Sequence, residues 1–173
     1  MKGDALRVYK LVKKDFRKAS RRIRVQFGLK DRFKKGIESS GLYMEEIIRI
    51  LKKNKLPEEL SVLPHVESSF QVSAYSSAGA AGIWQFTRGT GRLFMRVGYD
   101  VAERRDPIRA THGAVKLLKK NYEVVNSWPL AITAYNHGLQ GMRRAQKRHG
   151  SDIVKIVKNY KSRPFGFASR NFY

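Results

Sequence analysis

The chain of 173 residues contains no cysteine, which excludes disulfides, thiolate metal ligation and cysteine nucleophiles but is neutral on compartment. No stretch approaches the roughly eighteen apolar residues of a membrane span. Met1-Lys2-Gly3-Asp4 lacks the apolar core of a signal peptide, so the expectation is a protein acting inside the cell or a trimmed fragment of a larger one. His65, His112, His137 and His149 show no metal-ligand spacing and no HExxH occurs, so neither a metal site nor a cofactor is expected. Ser68, Ser69, Ser76 and Ser77 stand in no GxSxG turn, and Gly79-Ala80-Ala81-Gly82 is no phosphate-binding glycine motif. Alternating strand patterns and internal repeats are also missing. Acidic residues are scarce, 14 against 36 lysines and arginines, for a formal charge of +22 and a pI near 10.6. Anionic partners follow from that excess: nucleic acid, a phospholipid surface or an acidic wall polymer.

What is present is helical. Leu6, Tyr9, Val12, Phe16, Ala19 and Ile23 recur at three-to-four spacing and predict an amphipathic, very basic helix over 4–23. Leu42 to Asn54 predicts a second helix, with Met44, Ile47, Ile48 and Leu51 on one side. Pro57 with Glu58 and Glu59 opens a third through Leu60 and Leu63 toward Glu67, although Pro64 is an interior breaker. Residues 71–82, rich in serine, alanine and glycine, read as an ordered loop or irregular helix. Asp106-Pro107 starts a strong helix through Tyr122, followed by helices over Trp128–Tyr135 and Leu139–Arg148, and another from Ser151-Asp152 to Tyr160. The fold class is all-α, with a basic helical N-terminal arm over 1–41 and one domain over 42–173.

Glu67, in Leu63-Pro64-His65-Val66-Glu67-Ser68-Ser69-Phe70, is a lone carboxylate among apolar neighbours. Val66 and Phe70 offer surroundings that keep a carboxyl protonated near neutral pH, and the C-terminal end of a helix disfavours its charge. It is therefore a candidate proton donor, although most lone glutamates near a helix end are solvated surface groups. The glycine-and-alanine stretch that follows would let a long ligand approach the backbone. Glycosidic cleavage usually needs a second carboxylate. Glu103 and Asp106 are poor candidates, because arginine pairing and helix capping explain them in Glu103-Arg104-Arg105-Asp106-Pro107. A single acid suffices only if the substrate's own acetamido group assists.

Glu67-Ser68-Ser69-Phe70, Ser76, Gly79-Ala80-Ala81-Gly82-Ile83-Trp84-Gln85 and Ala134-Tyr135-Asn136, in that order and spacing, resemble the family 1 lytic transglycosylase domain. The likeness covers about 42–148. The flanks Arg24-Val25-Gln26 and Phe165-Gly166-Phe167-Ala168-Ser169-Arg170 resemble its membrane-bound D-type branch. The resemblance implies a lysozyme-like helical fold and cleavage of the β-1,4 bond between N-acetylmuramic acid and N-acetylglucosamine without water, giving a 1,6-anhydromuramyl product. It implies Glu67 as acid and then base, Tyr135 as its hydrogen-bonding partner, Ser76 near the acetamido group, and Gln85 and Asn136 lining the glycan groove. Tyr75 joins them as a substrate-binding candidate. Thr87 and Arg88 replace the methionine and proline common in the family and suggest a more polar subsite.

The expected partner is peptidoglycan, held by the basic surface, in the periplasm or cell envelope of a longer parent protein; nucleic acid is not expected. Competing readings are a goose-type muramidase hydrolysing the same bond and a non-catalytic basic wall-binding module. A nucleic-acid binder is favoured by charge alone.

Overall fold

The computed structural model describes residues 30–98 and 102–173. The helix predicted over 4–23 and the Arg24-Val25-Gln26 flank lie outside them. Helix α1 spans Lys30–Ser40 and α2 spans Met44–Lys53, and a 3-10 turn over Glu58–Val62 leads into α3, Leu63–Ser68. After a long loop come α4 (Arg88–Arg92), a 3-10 turn (Glu103–Arg105), α5 (Pro107–Val125), α6 (Trp128–His137), α7 (Leu139–His149), α8 (Ile153–Asn159) and α9 (Phe167–Arg170). Only isolated bridges, such as Tyr75 with Ala81, interrupt this all-α architecture among the described residues.

The central helix α5 is placed by its ends. Asp106 Oδ1 accepts from the Ile108 and Arg109 amides at 2.9 and 2.8 Å, and Pro107 occupies the first turn, where its missing N–H costs nothing. Ala110, Ala114, Leu118, Asn121 and Val125 fall on one face and are buried. Helix α5 packs against α2, α6 and α7, and the small Ala110 and Ala114 allow close approach. One apolar cluster, with Ile47, Leu51, Phe70, Trp84 and Leu118, lies between α2, α5 and the long loop. A second, with Leu130, Met142, Ile156 and Phe165, joins α6, α7 and α8.

The helix expected to run from Pro57 to Glu67 is two elements. Pro64 forces the break: it cannot supply an interior N–H, but it fits the first turn of a new helix, so the chain changes from 3-10 to α just before it. Helix α1 was grouped with the arm by sequence, yet residues Asp31–Tyr173 form one compact unit. Its Gly36 is the reason for close packing: a Cβ there would lie 2.4 Å from the Ser69 carbonyl oxygen.

Candidate active site

Glu67 occupies the last turn of α3, and two features hold that turn. Ser68 Oγ donates to the carbonyls of Pro64 and Ile83, both at 3.1 Å, tying α3 to the loop that carries Trp84 and Gln85. Ser69 and Phe70 then adopt left-handed backbone with φ of +52° and +56°, unfavourable for residues with a Cβ. The Ser69 and Phe70 amides cap the His65 and Pro64 carbonyls, and the fully buried Phe70 ring anchors the turn in the core. Backbone strain of this kind clusters at functional sites.

Burial raises the Glu67 pKa from its ordinary 4.5 to about 7, with no neighbouring charge contributing. Of the two apolar neighbours expected to shield it, Val66 is 62% exposed and Phe70 is buried in the core. Glu103 and Asp106 are committed elsewhere: Glu103 binds the Arg96 backbone amide and guanidinium, and Asp106 caps α5. Glu103 thus pairs with Arg96, not with its neighbours Arg104 or Arg105.

Tyr135, on α6, lies near Glu67: burial, and then the Glu67 charge, push its phenol well above the usual range. The resemblance implied that its hydroxyl hydrogen-bonds Glu67; the bond it makes is to the backbone instead. It donates to the Trp84 carbonyl at 2.7 Å, a strong acceptor presented by the loop tied down through Ser68. The ring sits between Phe86, edge-on at 6.1 Å, and Phe172, stacked at 6.5 Å. Trp84 is itself fixed by Nε1–H donating to Thr111 Oγ1 at 2.8 Å.

The stretch 71–82, expected as an ordered loop or irregular helix, is a loop closed by its own backbone bonds, Ser76 to Ala80, Gly79 to Ser76 and Gly82 to Ala74. Ser76 Oγ accepts from the Ala80 amide at 3.0 Å, so this hydroxyl closes a local turn. Gln85 takes φ +48° and its Nε2 donates to the Gly82 carbonyl at 2.9 Å. Tyr75 is exposed, with the Arg105 guanidinium 5.5 Å above its ring. Gly82 does not leave its backbone open to a ligand: at φ +73°, a Cβ would stand 2.0 Å from the Arg104 carbonyl oxygen. Thr87 Oγ1 caps α4 by accepting from the Thr90 amide at 3.2 Å.

Two supports were missed from sequence. Arg104, hidden in a basic run, is 5% exposed and donates through one Nη to the Gly79 and Phe86 carbonyls, both at 2.8 Å, spanning the loop. The other is the segment at 165–172. Ser169 Oγ donates to Asn136 Oδ1 at 2.8 Å and Phe172 stacks on Tyr135. Arg170 clamps this segment by donating to the carbonyls of Val157, Tyr160 and Phe165. Its resemblance to the D-type branch was the only sequence signal.

The arrangement is one carboxyl poised near neutrality on α3 and a half-buried tyrosine on α6, both tied to the loop between them through Ser68 and the Trp84 carbonyl. Comparison with known proteins agrees with the three motif blocks: the model of the transglycosylase SLT domain matches residues 46–157, and the chain belongs to that family, with its lysozyme-like helical fold. It is 39% identical over 109 residues to the membrane-bound lytic murein transglycosylase D of Escherichia coli strain K12, covering 61% of this chain and 24% of that protein. The protein of the same name in E. coli O6:H1 matches equally. A putative tributyltin chloride resistance protein of Alteromonas sp. strain M-1 is 32% identical over 105 residues, 60% of this chain and 51% of that one. The chain thus spans about a quarter of the length of the murein transglycosylases it matches. No helix among the described residues is long and apolar enough to cross a membrane.

Proposed function

We propose that this domain is a peptidoglycan lytic transglycosylase, cleaving the β-1,4 bond between N-acetylmuramic acid and N-acetylglucosamine in the cell envelope. The observation that carries the reading is Glu67, a single half-buried carboxyl in the last turn of α3 with a pKa raised to about 7 and no second carboxylate contributing to that value. A group poised at that pH holds a proton half the time and can give and take one with similar ease. Protonated Glu67 donates to the leaving glycosidic oxygen. The muramyl acetamido oxygen then bonds to the anomeric carbon as the C1–O bond breaks, giving an oxazolinium. Glu67, now a carboxylate, removes the proton of the muramyl C6 hydroxyl, whose oxygen closes onto C1 and releases the acetamido group. The proton count balances and the acid is restored.

Tyr135 supports this cycle from the side, since its hydroxyl holds the Trp84 carbonyl and its phenol feels the Glu67 charge. In this reading Gln85, Asn136 and Tyr75 contact the glycan, and Ser76 keeps the loop in shape. The basic surface suits a wall polymer bearing carboxylates.

Mass analysis of fragments released from purified peptidoglycan, by the full chain and its Glu67→Gln variant in parallel, tests the reading. Anhydromuramyl ends from the wild type alone are expected. Reducing ends would make the domain a muramidase, and equal digestion by the variant would remove Glu67 from the mechanism.

A further inference from the structure

A groove of about 530 Å³ runs along the outer side of α7, lined by Gln140, Arg143, Arg144 and Lys147, with Val124 of α5 as an apolar wall. Gln140 and Arg144 also border the cleft that Tyr135 lines, so the two recesses meet at those residues. Tyr135 in turn feels the Glu67 charge. The groove therefore leads away from the tyrosine that senses the candidate acid.

Helix α7 turns its cations outward. Gly141, Met142 and Ala145 are buried, which leaves Arg143, Arg144 and Lys147, at i, i+1 and i+4, exposed on the opposite side. No acidic residue occurs in Leu139–His149. The ion pairs among the described residues, Arg49–Glu46, Lys52–Glu58 and Arg96–Glu103, lie on other elements. The acids nearest in sequence are Glu123 and Asp152, and Asp152 Oδ1 is engaged by the Val154 and Lys155 amides. Gln146 holds the helix in place, its Nε2 donating to the Val125 carbonyl at 2.7 Å and to Ser151 Oγ at 3.0 Å.

An extended, hydrophilic anion suits this groove. It offers no aromatic side chain for a base to stack on and a single valine for a lipid chain. A muramyl strand is anionic throughout: a bare muramyl residue carries its lactyl carboxylate, and a substituted one carries the carboxylates of its peptide. Gln140 adds an amide for sugar hydroxyls and acetamido groups. We propose that Arg143, Arg144 and Lys147 form a track that grips the strand, bare or substituted, through its carboxylates beyond the bond being cleaved. The proposal rests on the transglycosylase reading for the identity of the polymer. It gives the enzyme a firmer hold on long muramyl strands than on short ones or on neutral chitin.

The test uses the full chain carrying Glu67→Gln, titrated calorimetrically with short and long peptide-free muramyl glycans and with chitin oligomers of matching length, which lack the carboxylate. Three exposed charge contacts, each weak, predict that lengthening the ligand tightens binding about tenfold more in the muramyl series than in chitin at low salt. Added salt should shrink this excess. Arg143→Gln, Arg144→Gln and Lys147→Gln together should remove it and leave the binding of short oligomers unchanged. A control triple, Lys155→Gln, Lys158→Gln and Lys161→Gln, removes the same charge from residues that line neither recess and should retain it. No excess in the parent protein, an excess unmoved by the α7 triple, or an equal loss in the control would each overturn the proposal. Duplex DNA bound more tightly than the long strand at about 0.2 M salt, in a manner lost with the α7 triple, would overturn it in favour of nucleic acid. If the excess behaves as expected while wild-type protein releases no anhydromuramyl ends, the track stands and the transglycosylase reading fails.

Discussion

Replacing Glu67 by glutamine should make the folded protein more stable at pH 8 while abolishing activity. Burial raises the carboxyl from 4.5 to about 7, so at alkaline pH folding must keep a charge in a site that resists it. At about 1.4 kcal/mol for each tenfold change in proton affinity, the cost at pH 8 is at most about 3.5 kcal/mol. Glu67 retains some solvent contact, and screening reduces this to about 1–3 kcal/mol. The sign follows from linkage: between pH 4.5 and 7 the folded state binds more protons than the unfolded one, so this contribution to stability falls as pH rises through that window. Below pH 4.5 both states are protonated and the penalty vanishes. Glutamine resembles the protonated acid in shape and carries no charge, so it removes the penalty at pH 8 and changes little at pH 4. A gain of about 2 kcal/mol corresponds to about 4–8 °C in Tm for a domain of this size. Thermal unfolding of both proteins at pH 4 and pH 8 measures it. An equal Tm difference at the two pH values, or a variant less stable at pH 8, would refute a carboxyl shifted by burial. The same shift predicts that kcat/KM falls as pH rises past about 7, because the first step consumes the protonated form of the free enzyme.

Other parts of the site make separate predictions. Gly82→Ala should cost about 3 kcal/mol or more in urea unfolding, since the residue combines φ +73° with a Cβ position 2.0 Å from the Arg104 carbonyl oxygen. Arg104→Met removes the bonds to Gly79 and Phe86; a loss of about 2–4 kcal/mol, together with faster amide exchange across 76–86, is expected. Ser169→Ala with Phe172→Ala releases Asn136 and unstacks Tyr135. It should lower kcat on peptidoglycan several-fold and displace its pH profile, while costing about 1–2 kcal/mol of stability; an unchanged profile would reduce the segment to packing alone.

Much of this architecture was legible because it depends on neighbours in sequence. The α5 boundary follows from Asp106-Pro107, and α8 from Asp152, whose Oδ1 accepts from the Val154 and Lys155 amides. Apolar periodicity revealed α2 and α5, whose buried faces are regular. Misreadings arose where a local rule met a tertiary contact. Pro64 looked like a breaker but begins α3, and Gly82 looked like a ligand approach but accommodates the Arg104 backbone.

The order and spacing of the motif blocks by themselves determined the helical class, the family and the residue to suspect, because capping, periodicity and motif spacing are written along the chain. The tertiary structure alone decided what Glu67 is chemically. Its pKa comes from burial, which the folded chain creates and the isolated segment lacks. Likewise, only folding brings Tyr135 to the Trp84 carbonyl, Arg104 into the centre of the loop and Phe172 onto Tyr135. These contacts depend on how the chain returns to itself, which no local pattern encodes.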